Sequence, residues 1–255
     1  MTCSATLAAN SACIWEDRPN LSRSGSRSAA CENSLMVPRK SPAYDPNCRR
    51  CPRLAQFLDH VRADHPSYWC KPVPPFGDPT ARLVIVGLAP GMHGANASGR
   101  PFTGDYAGIL LYETLHAYGY ASSPHSRTRD DPLTLIDCRI TNAVKCLPPG
   151  NKPAPSEVKT CNAYLVADLA QLPDGAAVLA LGRIAHDAAL RALGRSPAKF
   201  RFAHGARHPL SRGAVLFDSY HCSRYNTNTR RLTTPMFHLV FDMIATHFGA
   251  APAKQ

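Results

Sequence analysis

The sequence predicts an α/β protein, a three-layer α/β/α sandwich built on a central, mainly parallel sheet. Short apolar runs recur at 82–87, 135–145, 177–181 and 215–220, and segments whose apolar residues return at helical spacing separate them. Strands separated by helices lie parallel and need cover on both faces. The elements follow in order. A first helix is expected near 50–63, and Lys71-Pro-Val-Pro-Pro75 reads as an extended connector to the first strand. A helix near 105–118 carries Ile109, Leu110, Tyr112 and Leu115 at helical spacing. The helix near 155–171 opens on Pro155-Ser-Glu, where proline is tolerated in the first turn. The helix at 183–193 stops at Gly194, and the last helix occupies 235–248. No internal repeat is visible.

In 255 residues with 44% hydrophobic composition there is material for one substantial core. Residues 1–40, rich in Ser, Ala, Arg and Asn, read as a disordered extension to a single domain over 41–250, with 251–255 as a tail. If the extension is an artefact of start-site choice, Met36 is the working initiator. Twenty-nine Lys and Arg against 18 Asp and Glu leave a net charge of +11, which suits a polyanionic partner. No apolar run approaches the roughly 20 residues that span a bilayer, so no membrane partner is expected. A soluble, cytoplasmic and nucleoid-associated monomer is the expectation. Ten cysteines with one C-x-x-C pair argue for a metal site in a reducing compartment rather than a disulfide framework. Cys48 and Cys51 share one turn, and Cys146 and Cys161 follow from a distant loop and helix. Four thiolates suit structural zinc or an iron-sulfur cluster, and spacing alone does not separate the two.

The densest signal is the stretch Gly87-Leu-Ala-Pro-Gly91, continuing through Gly94-Ala-Asn96 to Gly99-Arg-Pro-Phe-Thr-Gly-Asp105, with six glycines from Gly87 to Gly108. Glycine permits backbone angles and close approaches that a Cβ forbids, so a flat ligand is expected against this loop. In open α/β sheets ligands bind beyond the carboxyl ends of strands. The glycine loop, Asn142 and His221 all fall at or near such ends, which predicts their convergence in one cleft.

These segments, with Asn142-Ala-Val-Lys-Cys146 running on to Pro153 and Ser219-Tyr-His221-Cys-Ser-Arg-Tyr-Asn226, closely resemble the uracil-DNA glycosylase superfamily, specifically its iron-sulfur type B (family 5) branch. The resemblance covers roughly residues 44–248. It implies a uracil-DNA glycosylase-like fold and a monofunctional hydrolase that removes uracil, with hypoxanthine and other deaminated bases in view, from double-stranded DNA carrying uracil opposite guanine. The same fold kept as a non-catalytic iron-sulfur DNA-binding protein is the alternative. The resemblance also implies a 4Fe-4S cluster on Cys48, Cys51, Cys146 and Cys161, with zinc the less favoured occupant. Gly87, Ala89, Gly91, Phe102 and Asn142 would form the base pocket, with Phe102 as stacking ring and Asn142 as reader of the base edge. His221 would donate to the leaving base, with Cys222 replacing the family's usual proline. Ala89 stands where classical members place an aspartate, and Leu88 stands where the type A branch has glutamate. Asn96 is therefore the preferred group to orient water, and Asp105 either supplies negative charge or caps the helix it precedes. Ser223, Arg224, Tyr225 and Asn226 resemble the loop that enters the duplex, with Lys152 and Arg231 as phosphate partners. Lys145 reads as a phosphate contact or a solvated lysine.

Overall fold

The computed structural model describes residues 44–250; the amino-terminal extension, Met36 and the 251–255 tail lie outside the described residues. Six strands form one sheet: β1 (Phe76–Gly77), β2 (Leu83–Gly87), β3 (Cys138–Asn142), β4 (Ala177–Leu181), β5 (Arg207–Pro209) and β6 (Val215–Ser219), in the order β1-β3-β2-β4-β6-β5. The four central strands run parallel, and β1 and β5 close the edges antiparallel. The edge strands β1 and β5 are additional to those expected, and β2, β3 and β6 are shorter than expected. β3 spans only Cys138–Asn142, β6 stops at Ser219, and the edge strands carry too little apolar periodicity to announce themselves.

Among the described residues seven α-helices surround the sheet: α1 (Pro52–Asp64), α2 (Ala95–Ser98), α3 (Tyr106–Ala117), α4 (Pro155–Leu169), α5 (Arg183–Ala192), α6 (Arg224–Asn228) and α7 (Thr234–His247). The central strands are buried almost throughout, β2 and β4 being wholly apolar while β3 and β6 also carry polar residues, and their side chains divide by the two-residue period of a strand. Leu83, Ile85, Leu179 and Phe217 pack with Leu111 and Leu115 of α3 and with Phe237 and Phe241 of α7. Val84, Val86, Val178 and Leu216 pack on the other face with Leu54 of α1, Leu165 of α4 and Ala189 of α5. This is the three-layer sandwich that the alternation of strands and helices requires.

Local chemistry starts each long helix. Pro52 opens α1 in the first turn, where a missing N–H is harmless. Asp105 caps α3 by accepting from the Gly108 N–H at 2.8 Å, and Thr233 caps α7. The Glu157 carboxylate in the first turn of α4 accepts the Ala154 N–H at 2.7 Å. Leu179 lies on the central strand β4 with no exposed area. Leu179→Ala should therefore destabilise the protein by about 2–5 kcal/mol, read from chemical denaturation with an unchanged slope.

Candidate active site

A cavity of about 530 Å³ opens where the parallel strands end. Leu88 and Ala89 follow β2, Asn142 ends β3, Gly182 follows β4 and His221 lies two residues beyond β6, and all five line it. The predicted convergence at the carboxyl edge of the sheet is thus a property of the fold.

The pocket floor depends on an absent side chain. A Cβ on Gly87 would sit 2.3 Å from Asn142 Oδ1 and 2.8 Å from Phe102 Cζ, so only glycine lets the amide and the ring meet. Asn142 is buried, and its Oδ1 has no hydrogen-bond partner. A buried carbonyl oxygen left unpaired is costly, and one lining a cavity is poised for a donor on a ligand. Phe102 adopts φ 54, a left-handed backbone angle, and its ring lies 5.9 Å from the His221 ring with the planes 27° apart. Its neighbours hold this strained turn. Arg100, buried, donates to Asp131 at 2.5 Å, to Ser126 at 2.7 Å and to Thr103 at 2.8 Å, while the Tyr112 hydroxyl donates to the Pro101 carbonyl at 2.8 Å.

Asn96 is fully buried and does not line the cavity, its Nδ2 donates toward Cys70 Sγ at 3.5 Å, and its Oδ1 has no hydrogen-bond partner. Asp105 lines the cavity and also caps α3 through Oδ1. A Cβ on Gly94 would lie 2.7 Å from Asp105 Oδ2, so this glycine makes room for the carboxylate. Desolvation raises the Asp105 pKa, and hydrogen bonds from the Gly108 and Ala107 amides oppose the rise only in part.

His221 is held neutral, its pKa lowered to about 4 by desolvation. Asn226, a residue of the loop expected at DNA, donates from Nδ2 to the His221 carbonyl at 2.8 Å and so steadies the loop. Ser223 is likewise turned inward as the cap of α6, accepting from the Asn226 N–H. Cys222 is buried in the core, where burial and the nearby Asp105 carboxylate push its thiol upward. Arg224 lines the cavity and stands 4.9 Å over the Tyr106 ring, Tyr225 is 71% exposed, and Arg231 stands 4.7 Å over the Tyr220 ring. Lys152 is exposed, and its carbonyl accepts from Arg53. The cavity also has a wall of Gly182, Arg183 and Ile184, of which the sequence placed Arg183 and Ile184 only in a helix and gave Gly182 no role. The rule that located Asn142, a polar or glycine residue at a strand's carboxyl end, applied equally to Gly182.

A second, smaller cavity is lined by Cys48, Cys51, Cys146 and Cys161 together. All four are free thiols, and burial followed by the mutual influence of the other three raises Cys146 well above its ordinary range. The expectation for Lys145 needs correction. It is 2% exposed, and its ammonium donates to Asp168 Oδ2 at 2.7 Å and to Thr141 Oγ1, with Arg139 3.5 Å from the same carboxylate. It is neither a phosphate contact nor solvated. Its backbone N–H faces Cys161 Sγ at 3.3 Å, so one residue joins the thiol cavity to the loop that carries Asn142.

A base-sized cavity at the carboxyl edge of a doubly covered parallel sheet, with an aromatic floor, a free amide, a buried carboxylate and a neutral imidazole, defines a ligand-binding α/β enzyme. The model of the uracil DNA glycosylase superfamily matches residues 74–244. A type-5 uracil-DNA glycosylase from Thermus thermophilus is 48% identical over 195 residues, 74% of this chain and 89% of the relative. One from Mycobacterium bovis is 44% identical over 203 residues, covering 76% and 75%, and one from Pyrobaculum aerophilum is 42% identical over 207, covering 80% and 90%. The chain belongs to the uracil-DNA glycosylase superfamily, in its type-5 branch.

Gly87→Ala should drive the Asn142 amide and Phe102 apart and lower kcat/KM for base excision by at least about 100-fold, in line with misplacing a positioned group by an ångström. Lys145→Met should destabilise the fold by about 3–5 kcal/mol, because it strips a buried carboxylate of its ammonium, and thermal denaturation measures the loss.

Proposed function

We propose that this protein excises uracil from DNA by hydrolysing the N-glycosidic bond, leaving an abasic site. The observation that carries the reading is the buried, unpartnered Asn142 Oδ1 set between the Gly87 backbone and the Phe102 ring. Duplex DNA hides the glycosidic bond, so the nucleotide is flipped into the cavity at a cost of a few kcal/mol, smaller at a uracil opposite guanine. Phe102 offers the stacking face. Asn142 presents an acceptor for uracil N3–H and a donor for O4, whereas cytosine presents the opposite pattern.

As the bond breaks, negative charge gathers on the departing base and positive charge on the sugar. His221, neutral across the physiological range, donates an N–H to the base oxygen as that charge develops. Asp105 takes the role first given to Asn96: its cavity-facing oxygen orients water and faces the cationic sugar. Arg224 and Tyr225 at the cavity rim contact the duplex, with Arg231 and Lys152 on phosphates. The burial of Lys145 in its ion pair supports a monofunctional enzyme, since no other lysine among the described residues lines the cavity to form a Schiff base.

The four cysteines that line one cavity would hold a 4Fe-4S cluster, with zinc the less favoured occupant. When bound, the cluster supplies a crosslink between the α1 segment and the α4 segment.

The test is alkali-dependent cleavage of a labelled duplex with one uracil opposite guanine, a thymine duplex serving as control. His221→Ala should lose about 10²–10³-fold in kcat and Asp105→Asn at least about 100-fold. Cleavage retained in both variants would remove the assignment, and DNA binding with no abasic product would remove the reaction. Because the Asp105 pKa is raised, activity should fall on the acid side above the ordinary carboxylate range, and Asp105→Asn should abolish that limb. The ionised form is disfavoured in the folded state, a penalty present above the folded pKa and relieved as pH falls through it. Asp105→Asn, which keeps the cap, should therefore melt no lower than the wild type at pH 8.

A further inference from the structure

We propose that His186, His208 and Asp218 form a binding site for a divalent transition-metal ion, outside the catalytic cavity. Their donor atoms all lie within 4.8 Å of one another, and none of the three lines the active-site cavity. They come from three elements: His186 from α5, His208 from the edge strand β5 and Asp218 from β6.

The hydrogen bonding of His186 makes the case. Its Nε2 lies 3.1 Å from the Phe200 carbonyl, which only accepts, so Nε2 carries a proton. In the neutral ring Nδ1 then presents a bare lone pair to Asp218 Oδ1 at 2.7 Å. Two lone pairs at that distance repel, and a cation has to stand between them, either a second proton or a metal ion. Asp218 and His186 have no exposed area, so the carboxylate cannot be neutralised by solvent. His208 Nε2 faces the other oxygen, Oδ2, at 2.9 Å and is 12% exposed, which leaves an access route. A ligating histidine commonly donates its far N–H to a backbone carbonyl, as His186 does to Phe200. Phe202 packs edge-on to His186 and Phe200 edge-on to His208, keeping the site dry.

Two imidazoles and a carboxylate suit Zn²⁺, Co²⁺ or Ni²⁺. Bonds of about 2.0–2.2 Å require the nitrogen–oxygen separations to open to about 3 Å, and β5, three residues at the sheet edge, is the element that can yield. The metal competes with the proton on His186. Burial lowers the basicity of that ring, and the hydrogen bond and charge of Asp218 more than reverse the effect. The other charged group near it is Asp187, faced by Arg183 at 3.5 Å, while the His208 ring lies 5.2 Å away. Affinity should accordingly rise with pH.

The experiment uses full-length protein with its cysteine site loaded. Zinc is titrated by calorimetry at pH 6 and pH 8, and zinc per chain is counted by elemental analysis after gel filtration. One equivalent is expected at pH 8, bound about tenfold or more weaker at pH 6. It should be absent in His208→Ala, which alters a partly exposed edge residue, and in Asp218→Asn, with iron content retained in both. Zinc should raise the melting temperature of the wild type alone. No bound zinc at pH 8 would mean that the proton is the occupant, and undiminished binding in His208→Ala would place the ion elsewhere; either result overturns the proposal.

Discussion

Gly87 and Asn142 are register partners at the carboxyl ends of two parallel strands, and the active site depends on that pairing. The ladder continues past them, with the Ala143 N–H donating to the Gly87 carbonyl at 2.9 Å and the Val144 N–H to the Leu88 carbonyl at 3.0 Å. Backbone bonds therefore fix where the Asn142 side chain points, which leaves its Oδ1 without a partner. An amide aimed by its own hydrogen bonds would have none to offer a base. Any side chain at 87 would occupy the volume that amide and ring share.

The same loop runs directly into the thiol cavity. Lys145, three residues after Asn142, reaches back to Thr141 and Asp168, while its N–H faces Cys161. Arg53 of α1 pairs with Glu157 of α4 at 2.7 Å beside Cys51 and Cys161. The base-reading loop is thus braced on one side by the sheet and on the other by the elements that carry the cysteines. Rigidity of this kind is what a site needs to hold a flipped base within a fraction of an ångström of the reacting geometry.

How far the sequence disclosed this arrangement varied with the physics behind each feature. The central strands and long helices were legible because burial imposes period and length on their residues. The edge strands were not, since Arg207–Pro209 owes its pairing to a neighbour rather than to its own pattern. Gly87, Asn142 and His221 stood out because strand ends in a parallel sheet share one edge, whereas Phe102 stood out only through the family resemblance. The burial of Asn96 was not legible, because only three dimensions reveal Cys70 beside it. Lys145 misled for the opposite reason: a cation reads as exposed unless its partner is known, and Asp168 lies 23 residues away. Gly182 was missed through incomplete use of a rule that already held at Asn142.

Two titratable groups of the cavity are moved in opposite directions by one cause. Desolvation raises the carboxylate Asp105 and lowers the imidazole His221, in each case favouring the uncharged form. Burial at these two positions therefore disfavours charge on either side chain. An ionised Asp105 in the free enzyme lacks a cationic partner, and the sugar supplies one only as the glycosidic bond lengthens. His221 holds no charge of its own, and its N–H gains strength as the base becomes an anion. In the proposed roles both interactions would strengthen toward the transition state and stay weak in the substrate complex, which is the condition for binding energy to accelerate the chemical step. First-motif chemistry with Ala89 in place of a carboxylate is thus compatible with catalysis, because the single carboxylate that remains is held where developing positive charge most relieves its burial.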